Sequence, residues 1–239
     1  MQKPFAPAAG LDFDAVNRAL EGQGPEKVLA WGLDVFGERI SLASSFGAED
    51  VALIDMLARQ GRPFRVFYLD TDVLFAQTYD LIERVASRYR IAPERFSPRL
   101  TLAEQAAERG DALWARQPDQ CCAIRKVEPL GRALSELDAW ITGIRRDQTP
   151  QRANARLVEW DAPHGLVKLN PLAPWTSEQV WAYIRANEVP YNPLHEQGYP
   201  SIGCTHCTRP VRAGEDPRAG RWAGFQKTEC GLHVEVPAR

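Results

Sequence analysis

No stretch of this chain is apolar for long enough to span a bilayer, and its first residues, Met1-Gln2-Lys3-Pro4-Phe5-Ala6, hold no signal-peptide core. The expectation is a protein that stays in the cytoplasm and has no membrane partner. Charge is nearly balanced, with 29 Lys and Arg against 31 Asp and Glu for a formal net charge of −2. That balance gives no ground for expecting nucleic acid. Internal repeats and low-complexity tracts are absent. Cysteine is scarce, five in 239 residues, and an odd number in a reducing compartment argues against a disulfide framework. Metal binding or thiol chemistry is what remains for those residues. Two motifs are also missing: a Walker A ending in Gly-Lys-Ser/Thr, and a second C-x-x-C to complete a zinc ribbon.

What is present is an ordinary globular composition, 44% apolar and 25% charged, in a length that suits one large domain with a tail. Two amphipathic segments open it, residues 13–21 and Pro25–Phe36. A β-type run at 39–43 flows into the small-residue stretch Ser44-Ser45-Phe46-Gly47-Ala48-Glu49-Asp50 and a helical pattern at 51–60. The unit repeats with a strand at 65–69 and a helix at 74–88, then a weaker strand at 95–97 and a helix capped by Thr101 with Glu104. A helical segment at 119–137, divided by Pro129, leads to a buried-strand run at 139–144. After a polar loop come a strand at Leu166–Leu169 and a helix at 176–188 capped by Thr176. Alternating strands and helices predict an α/β fold with a doubly wound, mostly parallel sheet. The division expected is 1–38 as helices packed on the core, 39–188 as a nucleotide-binding domain, and 189–239 as a Pro- and Gly-rich tail. That tail holds three of the five cysteines.

Four places could carry chemistry. Strand, small-residue turn and helix at Ser44–Asp50 is the architecture of an anion-binding βα loop, and equally of an ordinary tight turn. Gly143-Ile144-Arg145-Arg146-Asp147-Gln148 puts two arginine forks at the end of a central strand, where they would face the same side. In the tail, Arg209, Arg212, Arg218 and Arg221 meet only Glu215 and Asp216, a local positive patch. Last, Cys121-Cys122, the C-x-x-C of Cys204 and Cys207, and the single Cys230 suggest a metal centre with a thiol left over. Neighbouring side chains on a helix diverge by about 100°, which favours iron–sulfur over zinc, though spacing does not settle the metal.

These pieces together resemble the iron–sulfur adenylyl-sulfate (APS) reductases, a branch of the assimilatory sulfonucleotide reductases. The match is carried by Ser44–Asp50, Leu69-Asp70-Thr71, Cys121-Cys122 with Lys126, Thr142–Gln148, Cys204-Thr205-His206-Cys207-Thr208-Arg209 and Glu229-Cys230-Gly231-Leu232-His233, in family order. The resemblance implies a PP-loop (adenine nucleotide alpha hydrolase) fold and a 4Fe–4S cluster on Cys121, Cys122, Cys204 and Cys207. It implies Cys230 as catalytic nucleophile, and substrate contacts from Ser44, Ser45, Gly47, Asp50, Leu69, Lys126, Gly143, Arg145, Arg218 and Arg221. The activity implied is reduction of APS to sulfite and AMP through an S-sulfocysteine, with thioredoxin or glutaredoxin as reductant and room for a homo-oligomer. A tail that must reach both nucleotide and partner is expected to move, and His233 reads as a surface histidine. The alternatives are action on the 3′-phosphorylated substrate (PAPS) or on both, a PP-loop ATP pyrophosphatase or thiolation enzyme, and a zinc-stabilised nucleotide-binding module.

Overall fold

Short β-branched and apolar runs, each followed by a helix with one apolar face, can bury both kinds of surface only by stacking helices on a sheet. The computed structural model describes residues 10–227 and 229–233. It has this layered form. Two helices open the chain, α1 (Phe13–Leu20), capped by Asp12, and α2 (Pro25–Phe36). Then β1 (Ile40–Ser44), α3 (Ala48–Arg59), β2 (Val66–Leu69), α4 (Ala76–Tyr89) and β3 (Glu94–Phe96) alternate as expected. The capping box of α5 (Leu102–Arg109), Thr101 with Glu104, is present as read from sequence. Next come two short helices, α6 (Leu113–Arg116) and α7 (Pro118–Cys122), then α8 (Glu128–Leu134) and β4 (Ala139–Ile141). The chain closes with β5 (Val158–Asp161), β6 (Leu166–Leu169), α9 (Ser177–Ala186) and a tail of turns.

The six strands lie in the order β3-β2-β1-β4-β6-β5, all parallel except β5, which runs against β6. The chain winds outward from β1 to β3, then restarts at β4 on the other side. The sheet therefore switches direction between β1 and β4, and a crevice opens there at their carboxyl ends. Apolar cores cover both faces. One gathers α2, α3, α4 and α9, and the other sets Leu130, Ala133 and Leu134 against Phe67 and Trp140. In α3, Val51, Leu53, Ile54 and Met56 have no exposed surface, and each contributes about 1.5–3 kcal/mol relative to exposure.

Two elements differ from the sequence reading. The segment 119–137 is not one helix: a π turn, Ala123–Val127, separates α7 from α8. Proline 129 has no N–H to give to the carbonyl four residues back, and the chain widens just ahead of it, with the Glu128 N–H bonding to Ala123 O. The loop after β4 contains β5, whose alternation is only four residues long and whose partner β6 follows after a turn through Gly165 at φ 70°. Of the expected tail motion, Thr228 and residues 234–239 lie outside the described residues.

Candidate active site: a nucleotide crevice, a thiol chamber and a docked tail

The turn after β1 is built from its own side chains. Ser45 donates to Asp50 Oδ2 from its amide at 2.6 Å and its hydroxyl at 2.8 Å, and Phe46 N–H donates to Ser44 Oγ at 3.0 Å. Phe46 takes a positive φ of 57° to bury its ring edge-on against Tyr68. Burial pushes the Asp50 carboxyl up, while the Ser45 hydroxyl and the Ser45 and Gly47 amides hold it down. Asp50 thus organises the loop from behind. Gly47 is the N-cap of α3 without a side-chain cap, which leaves the helix's first N–H groups to the crevice. Gly143 comes in from β4 so closely that a Cβ there would overlap Asp50 Oδ1 and lie 2.8 Å from Glu49 Cβ. Ser44, Ser45, Gly47, Asp50 and Gly143 are therefore brought together, with half-buried Leu69 at the end of β2.

The two arginines after β4 part company. Arg146 turns away and donates to Ala155 O at 2.8 Å. Arg145 turns inward with 8% of its side chain exposed, paired with Glu49 and, at 2.9 Å, with Asp147. Gln148 ties this corner together: it accepts from Arg145 N–H at 3.1 Å and donates to Glu49 Oε1 at 3.1 Å.

The second feature is a small enclosed chamber beside the crevice. Cys121, Cys122, Cys204 and Cys207 all line it, with Arg125, Lys126, Val73, Leu102 and the rings of Trp114, His206 and Trp222. All five cysteines are free thiols. The helix α7 delivers the adjacent pair. A loop crossing back under β2 delivers the other pair, held by Thr205 N–H to Val73 O at 2.9 Å and by Thr71 Oγ1 against Cys204 Sγ at 3.3 Å. Burial first, and then the neighbouring sulfurs, raise Cys121 and push Cys207 up to about 11. Cys122 is raised by burial as well, although Lys126 pulls against it. Among the described residues no three donors are gathered for a single metal ion. The thiols surround a space instead.

The third feature is the tail. Arg221 packs so close to Gly203 that a Cβ there would lie 2.7 Å from its Cζ, and its guanidinium stacks over Trp222 at 4.6 Å. Arg218 reaches Glu229 at 3.6 Å, and Arg152 grips Glu229 with two nitrogens at 2.9 and 2.7 Å. Lys227 pairs with Asp119. Leu232 joins the second core, and His233 stacks on buried Trp140 at 5.4 Å. His233 is thus packed onto the core rather than left at the surface. Burial first, then Lys168, Arg152, His164 and Arg218, hold its imidazole well below its ordinary range. Docking in this way sets Cys230 beside Lys126. Burial depresses the ammonium, but Cys204, Cys230 and Cys122 outweigh it and raise it overall. Lys126 lines the chamber and also lies within electrostatic reach of Cys230. Sequence reasoning gave roles to Lys126, Arg218 and Arg221; it quoted Glu49, Gln148 and Glu229 only as motif residues and singled out neither Arg125 nor Arg152. The contacts from Gln148 to Glu49 and from Arg152 to Glu229 span 99 and 77 residues and are made only through the fold.

Fold and site together define an α/β protein of the PP-loop type, with a crevice at its sheet switch point and four cysteines lining one chamber. A family profile described as phosphoadenosine phosphosulfate reductase domain matches residues 39–210. An adenosine 5′-phosphosulfate reductase of Halalkalibacterium halodurans is 48% identical over 224 residues, 93% of this chain and 97% of that protein. A phosphoadenosine 5′-phosphosulfate reductase of Gloeobacter violaceus is 48% identical over 234 residues, covering 95% and 97%. The solved phosphoadenylyl-sulfate reductase of Candida auris superposes with a TM-score of 0.76 at 32% identity, over 87% of this chain and 100% of that one. The FMN adenylyltransferase of Candida glabrata shares the fold alone, with a TM-score of 0.58 at 16% identity over 95% and 77%. The chain belongs to the phosphoadenosine phosphosulfate reductase family of oxidoreductases.

Proposed function

We propose that this chain reduces adenosine 5′-phosphosulfate to sulfite and AMP in assimilatory sulfate reduction, using a dithiol protein as electron source. The observation that carries this reading is the division of the thiols. Four line one chamber, while Cys230 sits outside it, beside Lys126, on a tail pinned near the crevice. The Cys230 thiolate attacks the sulfate sulfur; an S–S bond forms, the S–O bond to phosphate breaks, and the electron pair leaves with AMP. Lys126, Arg218 and Arg221 supply the positive charge that steadies the thiolate and the departing phosphate. A dithiol protein of the thioredoxin or glutaredoxin type then attacks Cys230 Sγ, and sulfite leaves with the electron pair. The partner's second thiol frees Cys230 from the mixed disulfide, so two electrons pass from dithiol to sulfur. The first step uses the docked tail and the second needs it swung outward.

The chamber fits a 4Fe–4S cluster on Cys121, Cys122, Cys204 and Cys207. Burial first, and then their neighbours, keep these thiols protonated, so a cationic centre among them is what would hold them together as thiolates. Arg125, 2% exposed, lines the same space with its Nε buried and unpartnered among the described residues. A single zinc would need four sulfurs about 2.3 Å from one point, and the donors are not so gathered. When bound, the cluster would supply fixed charge beside Lys126 and tie the C-x-x-C loop to α7, while the electrons come from the dithiol. No helix is long and apolar enough to cross a membrane among the described residues, and a cytoplasmic location suits this thiol chemistry.

The phosphorylated substrate is the second reading, because the Gloeobacter relative of equal identity carries that name. Sulfite release from APS and from PAPS with thioredoxin tests both. Faster turnover of APS by a brown, iron-containing protein is expected. Faster turnover of PAPS overturns the substrate assignment, and zinc without visible absorbance overturns the cofactor.

A further inference from the structure

Glu229 precedes the nucleophile by one residue and is clamped from two sides. Arg152 holds it as a fork, Nε to Oε1 at 2.9 Å and Nη2 to Oε2 at 2.7 Å, with Thr149 Oγ1 donating at 3.4 Å and Arg218 Nη2 forming an ion pair at 3.6 Å. The remaining nitrogen of Arg152 donates to Gln148 Oε1 at 2.6 Å, and Gln148 Nε2 donates to Glu49 Oε1 at 3.1 Å. Glu49 lies in the first turn of α3, directly after the crevice loop, and also pairs with Arg145. A single chain of charged and amide groups thus runs from the nucleotide loop to the residue beside Cys230. Arg152 and Glu229 have only 13% and 18% of their side chains exposed, so solvent screens the pair weakly.

We propose that Glu229 is the positioning residue for Cys230: its carboxylate, gripped by Arg152 and Arg218, sets the nucleophile over the crevice, and Arg152–Gln148–Glu49 links that setting to the nucleotide loop. The proposal rests on the reading of Cys230 as nucleophile. Glycine follows at 231 with a φ of 85°, so the chain turns immediately after the thiol. The clamp at 229 and the packing of Leu232 and His233 then fix the cysteine from both sides.

The test separates the two chemical steps in full-length, cluster-loaded protein. The first step is read as AMP released in a single turnover without reductant, the second as sulfite released by dithiothreitol from preformed S-sulfonated Cys230. Glutamine fills the same space as glutamate, so a mere packing role leaves Glu229→Gln at the wild-type rate. A positioning role slows its first step by roughly 10- to 100-fold, the range a charge-assisted hydrogen bond supports. Under the proposal, AMP affinity and the second step stay unchanged, and Glu229→Asp, which keeps the charge, recovers part of the first-step rate. A first step at the wild-type rate in Glu229→Gln overturns the proposal, and so does equal slowing of both steps or loss of AMP affinity. Sulfite formation by Cys230→Ser is a different failure, because it removes the nucleophile assignment itself.

Discussion

A side chain on Gly143 has no room: its Cβ would overlap Asp50 Oδ1 and lie 2.8 Å from Glu49 Cβ, both in the first turn of α3 at the crevice. Gly143→Ala is expected to weaken AMP binding by about tenfold or more, since overpacking typically costs about 1–3 kcal/mol. Iron content should not change, because the chamber is built from other segments. Calorimetric titration with AMP checks this. His233 gives a pH prediction. Its imidazole is held below its ordinary value of 6.5 when docked on Trp140, so the undocked tail binds the proton more readily. Docking is complete above that ordinary value and weakens as pH falls through it toward the docked pKa. His233→Phe keeps a ring on Trp140 and cannot titrate. The alkylation rate of Cys230 in wild type relative to His233→Phe should rise as pH falls, and a flat ratio counts against His233 holding the tail down.

The helices and strands show how far sequence reaches at the scale of the element. Long periodic stretches such as α3 and α4, the capping box at Thr101 and the N-cap at Thr176 were legible because their signals are local; that Gln179 closes a box with Thr176 came from the structure. The strand β5 was not, because four alternating residues are too few and its pairing with β6 supplies the order. The division of 119–137 was half legible. Pro129 signalled a break, but the break is a π turn centred on residues before it. That turn holds Arg125 and Lys126, and α7 ahead of it carries the cysteine pair, so one irregular helix supplies two cysteines and two cations to the chamber. Cys122→Ser is expected to lose iron and brown absorbance and to lose sulfite formation, while AMP still binds in the crevice. Full turnover without iron sinks the structural and electrostatic role of the chamber. On the stability side, Leu53→Ala in α3 removes fully buried volume and should lower unfolding stability by about 2–5 kcal/mol, measured by urea denaturation.

The whole molecule joins three parts that meet only through the fold. The crevice was legible because a doubly wound sheet places ligands at its switch point, and the alternation of elements announced such a sheet. The five cysteines were legible as a set. Their division became an argument once the chamber enclosed four of them and the tail carried the fifth. The docking of the tail was not legible at all. Arg152 and Glu229 are 77 residues apart in the chain, and no local pattern says that they pair. The central claim is that Cys230 carries the sulfur between the two steps. Mixing the protein with APS in the absence of any dithiol, and reading the intact protein and its peptides by mass spectrometry, tests it directly. The expected result is one sulfonate per chain, on Cys230, with one AMP released and no sulfite until a dithiol is added. Sulfite appearing without a dithiol, or a sulfonate on another cysteine while Cys230 stays unmodified, would contradict it.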